Sequence, residues 1–113
     1  MIAIPPAASI YVAIQPVDFR NGISGLGKVC RNQFKKDPMD GAIFVFCNKG
    51  KKSIKLLVYD GEAFWLLTRR LSRGRLKWWP STSEIAVKEL QMLIMNGNPK
   101  GAEFTDDWKK IIR

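Results

Sequence analysis

The dipeptide Asp60-Gly61 constrains this chain more than any other feature. It sits between two runs of β-type residues, Ser53 to Tyr59 (SIKLLVY) and Glu62 to about Leu71. A two-residue type I′ turn needs positive φ at both central positions and matches the twist of its strands, so Asp-Gly in this setting predicts a tight hairpin. With that turn Tyr59 faces Glu62, and the register sets Ile54 opposite Leu67, Leu56 opposite Trp65 and Val58 opposite Ala63. Those side chains share one face, which is expected to meet the helices. The other face holds Lys55, Leu57, Tyr59, Phe64, Leu66 and Arg70. It is expected to be only partly covered, a half-apolar, basic-edged surface suited to binding or self-association.

The remaining elements follow from periodicity. Ala42 to Cys47 (AIFVFC) reads as a strand joined to the hairpin by the polar loop Asn48-Lys49-Gly50-Lys51-Lys52, which makes a three-strand meander. Ser9 to Gln15 is a short first strand stopped by Pro16. In the segment from about Gly22 to Phe34, Ile23, Leu26, Val29, Cys30 and Phe34 recur at helical spacing, and Asp37-Pro38 ends it. Ser72-Arg73-Gly74 reads as a tight turn leading to a last short strand, Arg75 to Trp79. Ser81 with Glu84 matches a capping box, so a second helix is expected to begin there, with Val87, Leu90, Leu93 and Ile94 inward and Gly97 as its C-cap. The expected fold is α+β: an antiparallel four- to five-stranded meander sheet with two helices packed on one face, in a single domain over residues 1–113. The Pro-interrupted lead, 1–9, and the tail, 98–113, read as less regular, with a turn of helix around Asp106 to Ile112.

Charge narrows the function. Nineteen Lys and Arg against ten Asp and Glu give a net +9, and this excess favours an anionic partner. The start, Met1 to Ile14, is broken by Pro5-Pro6 and reads as neither a signal peptide nor a membrane span, so the expected location is cytoplasmic with no membrane partner. Cys30 and Cys47 form no C-x-x-C pair, and the chain has no histidine, which argues against a zinc site and for two reduced thiols.

Catalysis finds little support. The absence of histidine removes the commonest general base. Asp18, Asp37, Asp40, Asp60 and Glu62 fall at predicted turns or helix starts, where a carboxylate accepts backbone N–H groups. No phosphate-cradling glycine loop follows a strand. The reading is a non-enzyme without catalytic residues, metal or cofactor.

The positive charge is concentrated. Between Asn48 and Lys77 stand nine basic residues (Lys49, Lys51, Lys52, Lys55, Arg69, Arg70, Arg73, Arg75 and Lys77) against two acids, Asp60 and Glu62, a net of +7. The loop Lys49 to Lys52 and the turn Arg69 to Lys77 both lie at the end of the meander opposite Asp60-Gly61, so two basic runs distant in sequence are expected to meet. Such a patch matches a phosphate backbone. Trp78-Trp79 directly follow it, and one of the two is expected to be buried and the other available to stack on unpaired bases. Those basic residues with Trp78 are the candidate nucleic-acid-binding set.

At this point the residues resemble a known family. The run Asp18-Phe19-Arg20-Asn21-Gly22-Ile23-Ser24-Gly25-Leu26, then Asp37-Pro38 and Gly41 to Phe46 with Asn48, is similar to the TnpB-type second-frame protein of the insertion-sequence family numbered sixty-six. Lys55-Leu56-Leu57, Tyr59-Asp60-Gly61, Phe64-Trp65, Arg70-Leu71, Gly74-Arg75 and Trp79-Pro80 continue it in order. The match runs from about Ile10 to Gly97. The resemblance implies an accessory factor of transposition, encoded beside a larger transposase that carries the nuclease chemistry, with no established catalytic residues to transfer. The matching polar positions are Arg20, Asn48, Lys55, Arg70 and Arg75; Cys47 stands where family members often have a basic residue.

The leading expectation is therefore a non-catalytic accessory protein that binds nucleic acid, DNA foremost, through the basic end of the meander. The alternative is a protein-interaction adaptor that docks the transposase, or a second copy of itself, through the half-apolar sheet face. A third reading, a nuclease, needs Asp18 or Asp60 to act in a metal-dependent cleavage.

Overall fold

The computed structural model describes residues 8–97; the lead before Ala8 and the predicted tail helix lie outside them. In chain order the elements are β1 (Ile10–Val12), α1 (Gly22–Asn32), β2 (Ile43–Cys47), β3 (Ser53–Tyr59), β4 (Phe64–Arg70), β5 (Glu84–Ile85) and α2 (Val87–Ile94). The strands form one five-stranded sheet in the order β4-β3-β2-β1-β5. The fold is α+β, with an open sheet in which the expected β2-β3-β4 meander is present.

One pair is parallel. β1 runs alongside β2 with Ile10 opposite Ile43 and Val12 opposite Val45. The long connection through α1 lets the chain return to the same end of the sheet before β2 starts, which a short hairpin cannot do. The helices correspondingly divide between the two faces, where the sequence had suggested one shared face. β2 explains why. Every residue of Ile43–Cys47 is buried, and alternate side chains of a strand point to opposite sides, so both sides need cover.

On one side Ile10, Val12, Ile43, Val45, Ile54 and Leu56 pack with Leu90 and Leu93 of α2. On the other, Phe44, Phe46 and Leu57 pack with Leu26 and Cys30 of α1. Tyr11, Phe34 and Phe44 form an aromatic group there, with Tyr11 and Phe34 each 5.7 Å from Phe44 between ring centroids. Burying Phe44 fully contributes about 1.5–3 kcal/mol, and the half-buried Tyr11 and Phe34 contribute less. The face containing Leu57 is thus half of the core: Leu57 itself is buried, while Lys55, Tyr59, Phe64 and Leu66 are half-buried and Arg70 is exposed, which is the partial cover expected of its outer part.

The hairpin register also differs. Tyr59 pairs with Phe64, Val58 with Trp65, Leu56 with Leu67 and Ile54 with Arg69. The loop runs from Asp60 to Ala63, because Asp60 Oδ1 accepts the N–H groups of Glu62 (2.9 Å) and Ala63 (2.8 Å). Only Gly61 in this loop has positive φ, at 99°, so the turn is not the two-residue type expected.

The segment Arg75 to Trp79 forms no strand. Ser81 to Glu84 does not start a helix either: Glu84 and Ile85 instead extend the sheet beside β1. α2 begins after Ala86, whose N–H is accepted by Glu89 Oε1 at 3.1 Å, half of a capping box further along the chain than the one expected from Ser81. At its end the left-handed residue is Asn96 (φ 55°), with Gly97 N–H bonded to Met92 O and Asn96 N–H to Leu93 O. This is a Schellman cap in which Asn96 takes the place expected of Gly97.

Candidate functional site

The loop between β2 and β3 is shaped by one side chain. Asn48 Oδ1 accepts the N–H groups of Lys52 (2.9 Å) and Ser53 (3.2 Å), and its carbonyl accepts that of Lys51 (3.0 Å). Lys51 adopts a left-handed conformation, φ 54°. The result is a tight loop with Lys49, Lys51 and Lys52 exposed at its rim. The lysines were legible in the sequence and the organising role of Asn48 was not; an asparagine at a strand end with a glycine two positions on was its signal.

The second basic run is tied to this loop by the main chain. Leu71 N–H donates to Lys52 O at 2.8 Å, and Leu76 N–H to Lys51 O at 2.7 Å. Between them the turn Ser72-Arg73-Gly74, with Gly74 at φ 67°, holds Arg73 out, and Arg75 is exposed beside it. Arg70 lies across from Ser53, the residue after Lys52. The structure therefore brings Lys51, Lys52, Arg70, Arg73 and Arg75 to one end of the sheet, opposite the Asp60–Ala63 loop.

The other candidates sit at the margins. Arg69 is exposed on the α2 side of the sheet, opposite Ile54. Lys55 is half-buried on the α1 side, its ammonium 5.1 Å from the centre of the Phe19 ring. Lys77 is exposed and its N–H donates to Asn96 Oδ1 at 2.9 Å, which carries this part of the chain toward the end of α2. Trp78 and Trp79 are both half-buried against the α2-side core, where one open and one buried indole had been expected. Trp79 Nε1 donates to the carbonyl of Ala13 at 2.9 Å. Cys47 is fully buried, so in this chain its position adds nothing to the surface.

Lys49 faces a different neighbour. Val17 N–H bonds to Cys47 O, which brings Asp18, Phe19 and Arg20 beside Asn48, Lys49 and Gly50 around an open depression of about 390 Å³. Arg20 donates to both oxygens of Asp18, at 2.6 Å for its shortest contact. That side-chain pairing, the backbone N–H of Arg20 and the nearby Lys49 hold the Asp18 carboxyl down to about 2. The positive charge of Arg20 is largely offset by its partner.

Among the described residues Arg20–Asp18 is the one ion pair, so none of the nine basic residues from Lys49 to Lys77 is paired to a carboxylate there. The acids are engaged elsewhere. Asp37 accepts from Met39 N–H, Asp40 from Ala42 N–H, and Asp60 from two backbone N–H groups and the Trp65 indole. These are the turn roles expected of them. Among the described residues no three carboxylate or thiol side chains converge as a metal site would require, and no helix is long and apolar enough to cross a membrane.

The family described as IS66 Orf2 like protein matches residues 8–102. Two proteins of Sinorhizobium fredii (strain NBRC 101917 / NGR234) are similar. Uncharacterized protein y4hO is 33% identical over 85 residues, covering 74% of this chain and 73% of its own length. Uncharacterized protein y4jC is 38% identical over 71 residues, covering 63% and 61% respectively. No solved structure matches the chain. The match to residues 8–102, which include every described residue, places the protein in the IS66 Orf2-like family of transposition accessory proteins.

Proposed function

We propose that the protein serves transposition by binding nucleic acid, DNA foremost, through the basic end of its sheet, positioning the element or the larger transposase without breaking bonds itself. One observation carries this reading: the two backbone bonds from Leu71 and Leu76 to Lys52 and Lys51, which make a single surface from two runs of cations separated in sequence. A phosphate backbone is the natural complement of such a surface, since each neutralised phosphate releases condensed counterions. Arginines supply forked donors to phosphate oxygens and lysines mobile point charges. Lys51, Lys52, Arg70, Arg73 and Arg75 form the centre, with Lys49, Lys55, Arg69, Lys77 and Trp78 flanking it.

The test is the affinity of the purified protein for element-end duplex, single strand and unrelated DNA across a salt series. Binding that weakens steeply with salt and is lost in Arg73→Glu/Arg75→Glu supports the proposal. No binding at low salt ends it. Salt-insensitive co-purification with the transposase in the absence of DNA favours the adaptor role instead.

A further inference from the structure

β4 ends the strand order, and among the described residues nothing pairs with its outer side. Its backbone therefore presents a row of donors and acceptors, and the register tells which residues carry them. Asp60 N–H bonds to Ala63 O, and Leu71 N–H to Lys52 O. In an antiparallel pair, hydrogen-bonded positions alternate with non-hydrogen-bonded ones, so Trp65, Leu67 and Arg69 turn their peptide groups toward β3. Those of Phe64, Leu66, Thr68 and Arg70 point outward. Long edges are usually blunted by proline, a bulge or a charge set midway. This seven-residue edge, FWLLTRR, has none of these before its terminal arginines. Trp65 is 49% exposed, its indole N–H held by Asp60 and its ring left open.

We infer that β4 pairs antiparallel with β4 of a second copy, about a twofold axis at Leu67. The strand is complementary to its own reverse. In this register Phe64 meets the partner's Arg70, Trp65 meets the partner's Arg69, Leu66 meets the partner's Thr68, and Leu67 meets its own copy. Each arginine lies against an aromatic ring, a favourable cation–π arrangement, and no like charges face each other. The outward peptide groups of Phe64, Leu66, Thr68 and Arg70 all find partners. Trp65 with Arg69, and Leu67 with itself, occupy the non-hydrogen-bonded positions, where side chains approach most closely. Any other register shortens the paired stretch and separates the arginines from the rings. A single edge pairing is a small interface, so the association is concentration-dependent. The inference does not rest on nucleic-acid binding, although Arg69 and Arg70 belong to both surfaces.

Sedimentation of the wild-type chain over rising concentration is expected to show a monomer–dimer equilibrium. Thr68→Pro removes one outward N–H at an exposed position and leaves the bonds to β3 intact; it is expected to weaken dimerisation by about tenfold or more. Leu67→Cys is expected to form a disulfide-linked dimer under mild oxidation, because position 67 faces its own copy at a separation a disulfide tolerates. Trp65→Cys alone is not expected to cross-link, whereas Trp65→Cys combined with Arg69→Cys is. The native thiols are buried and do not compete. A wild-type chain that stays monomeric at every concentration overturns the inference, as does Leu67→Cys cross-linking no faster than Trp65→Cys. Strand pairing seen only with an added extended peptide assigns the edge to another protein and overturns it too.

Discussion

Leu76 reaches back to Lys51 through a 2.7 Å backbone bond, N–H to carbonyl, across a stretch of chain that has no regular secondary structure. The bond fixes where Arg73 and Arg75 stand relative to the lysine loop. Leu76→Pro deletes the donor and no charge. It is expected to cost about 1–3 kcal/mol of stability, read by chemical denaturation, and to weaken nucleic-acid binding although every cation is retained. Unchanged affinity in a folded Leu76→Pro protein means that total charge, not its arrangement, governs binding.

Replacing the cations tests the other half of the argument. For every duplex phosphate that a variant no longer neutralises, the slope of log affinity against log salt falls by about 0.9. Arg73→Ala/Arg75→Ala is therefore expected to flatten that slope by about 2 and to weaken binding to all sequences alike. A slope equal to wild type places the binding surface elsewhere.

Trp79 and Trp78 are adjacent and half-buried, yet they differ in kind. Trp79 Nε1 bonds to Ala13 O, joining the segment after β4 to the end of β1, whereas Trp78 contributes packing to the α2-side core. Trp79→Phe leaves that part-buried carbonyl without its partner, and a loss of about 1–3 kcal/mol is expected. Trp78→Phe keeps most of its apolar packing and is expected to cost less. Thermal or denaturant unfolding of the two variants gives the comparison directly; equal losses mean that the bond to Ala13 contributes no more than packing.

Much of this architecture is legible in the residues, and the failures have identifiable causes. The Asp60-Gly61 hairpin is real, but the carboxylate of Asp60 takes the Ala63 N–H, which widens the loop and moves the pairing by two residues. A slip of two preserves side-chain faces, so Ile54, Leu56 and Leu67 remain on one side although their partners change. The division of the helices was also signalled. The run Ile43–Cys47 has no polar alternate, and a strand apolar on both sides needs cover on both. The parallel β1–β2 pair was not legible, since a three-residue strand carries no mark of direction. At the basic end, sequence placed the two runs together through the meander, but the bonds from Leu71 and Leu76 that join them involve backbone atoms and leave no trace in residue type.

Asp18 offers a pH test. Its carboxyl is held at about 2 by the Arg20 side chain first, then by the Arg20 backbone N–H. A depressed folded pKa contributes stability above the unfolded value, near 3.8, and that contribution is lost as pH falls through about 2. The pair is exposed, so the effect on global stability is small; the titration itself is the sharper readout. NMR of the carboxyl carbon is expected to show Asp18 still ionised at pH ~3, and Arg20→Ala to bring it up toward the ordinary aspartate range. An Asp18 titration unmoved by Arg20→Ala means that the ion pair does not persist in solution.

The two thiols test whether the faces of the sheet are closed as the packing implies. Cys30 lies on the inner side of α1 and Cys47 at the end of β2, both fully buried, and burial pushes their thiols up to about 12 and about 11. Only the thiolate attacks an alkylating reagent, so access and ionisation act in the same direction. In the native protein at pH ~8, iodoacetamide is expected to label neither residue on the timescale on which free cysteine reacts, and labelling in denaturant is expected to follow the unfolding transition. A raised folded pKa means that the unfolded chain loses these protons first. The stability they contribute is complete below the unfolded thiol value and is lost as pH rises through about 11 to about 12. Unfolding measured from pH ~8 to ~11 is then expected to become easier, and Cys47→Ala to soften that dependence. Labelling of Cys47 in the native state would instead show that the junction of β2 with the lysine loop opens, and the loop's fixed placement beside Arg73 and Arg75 would have to be given up.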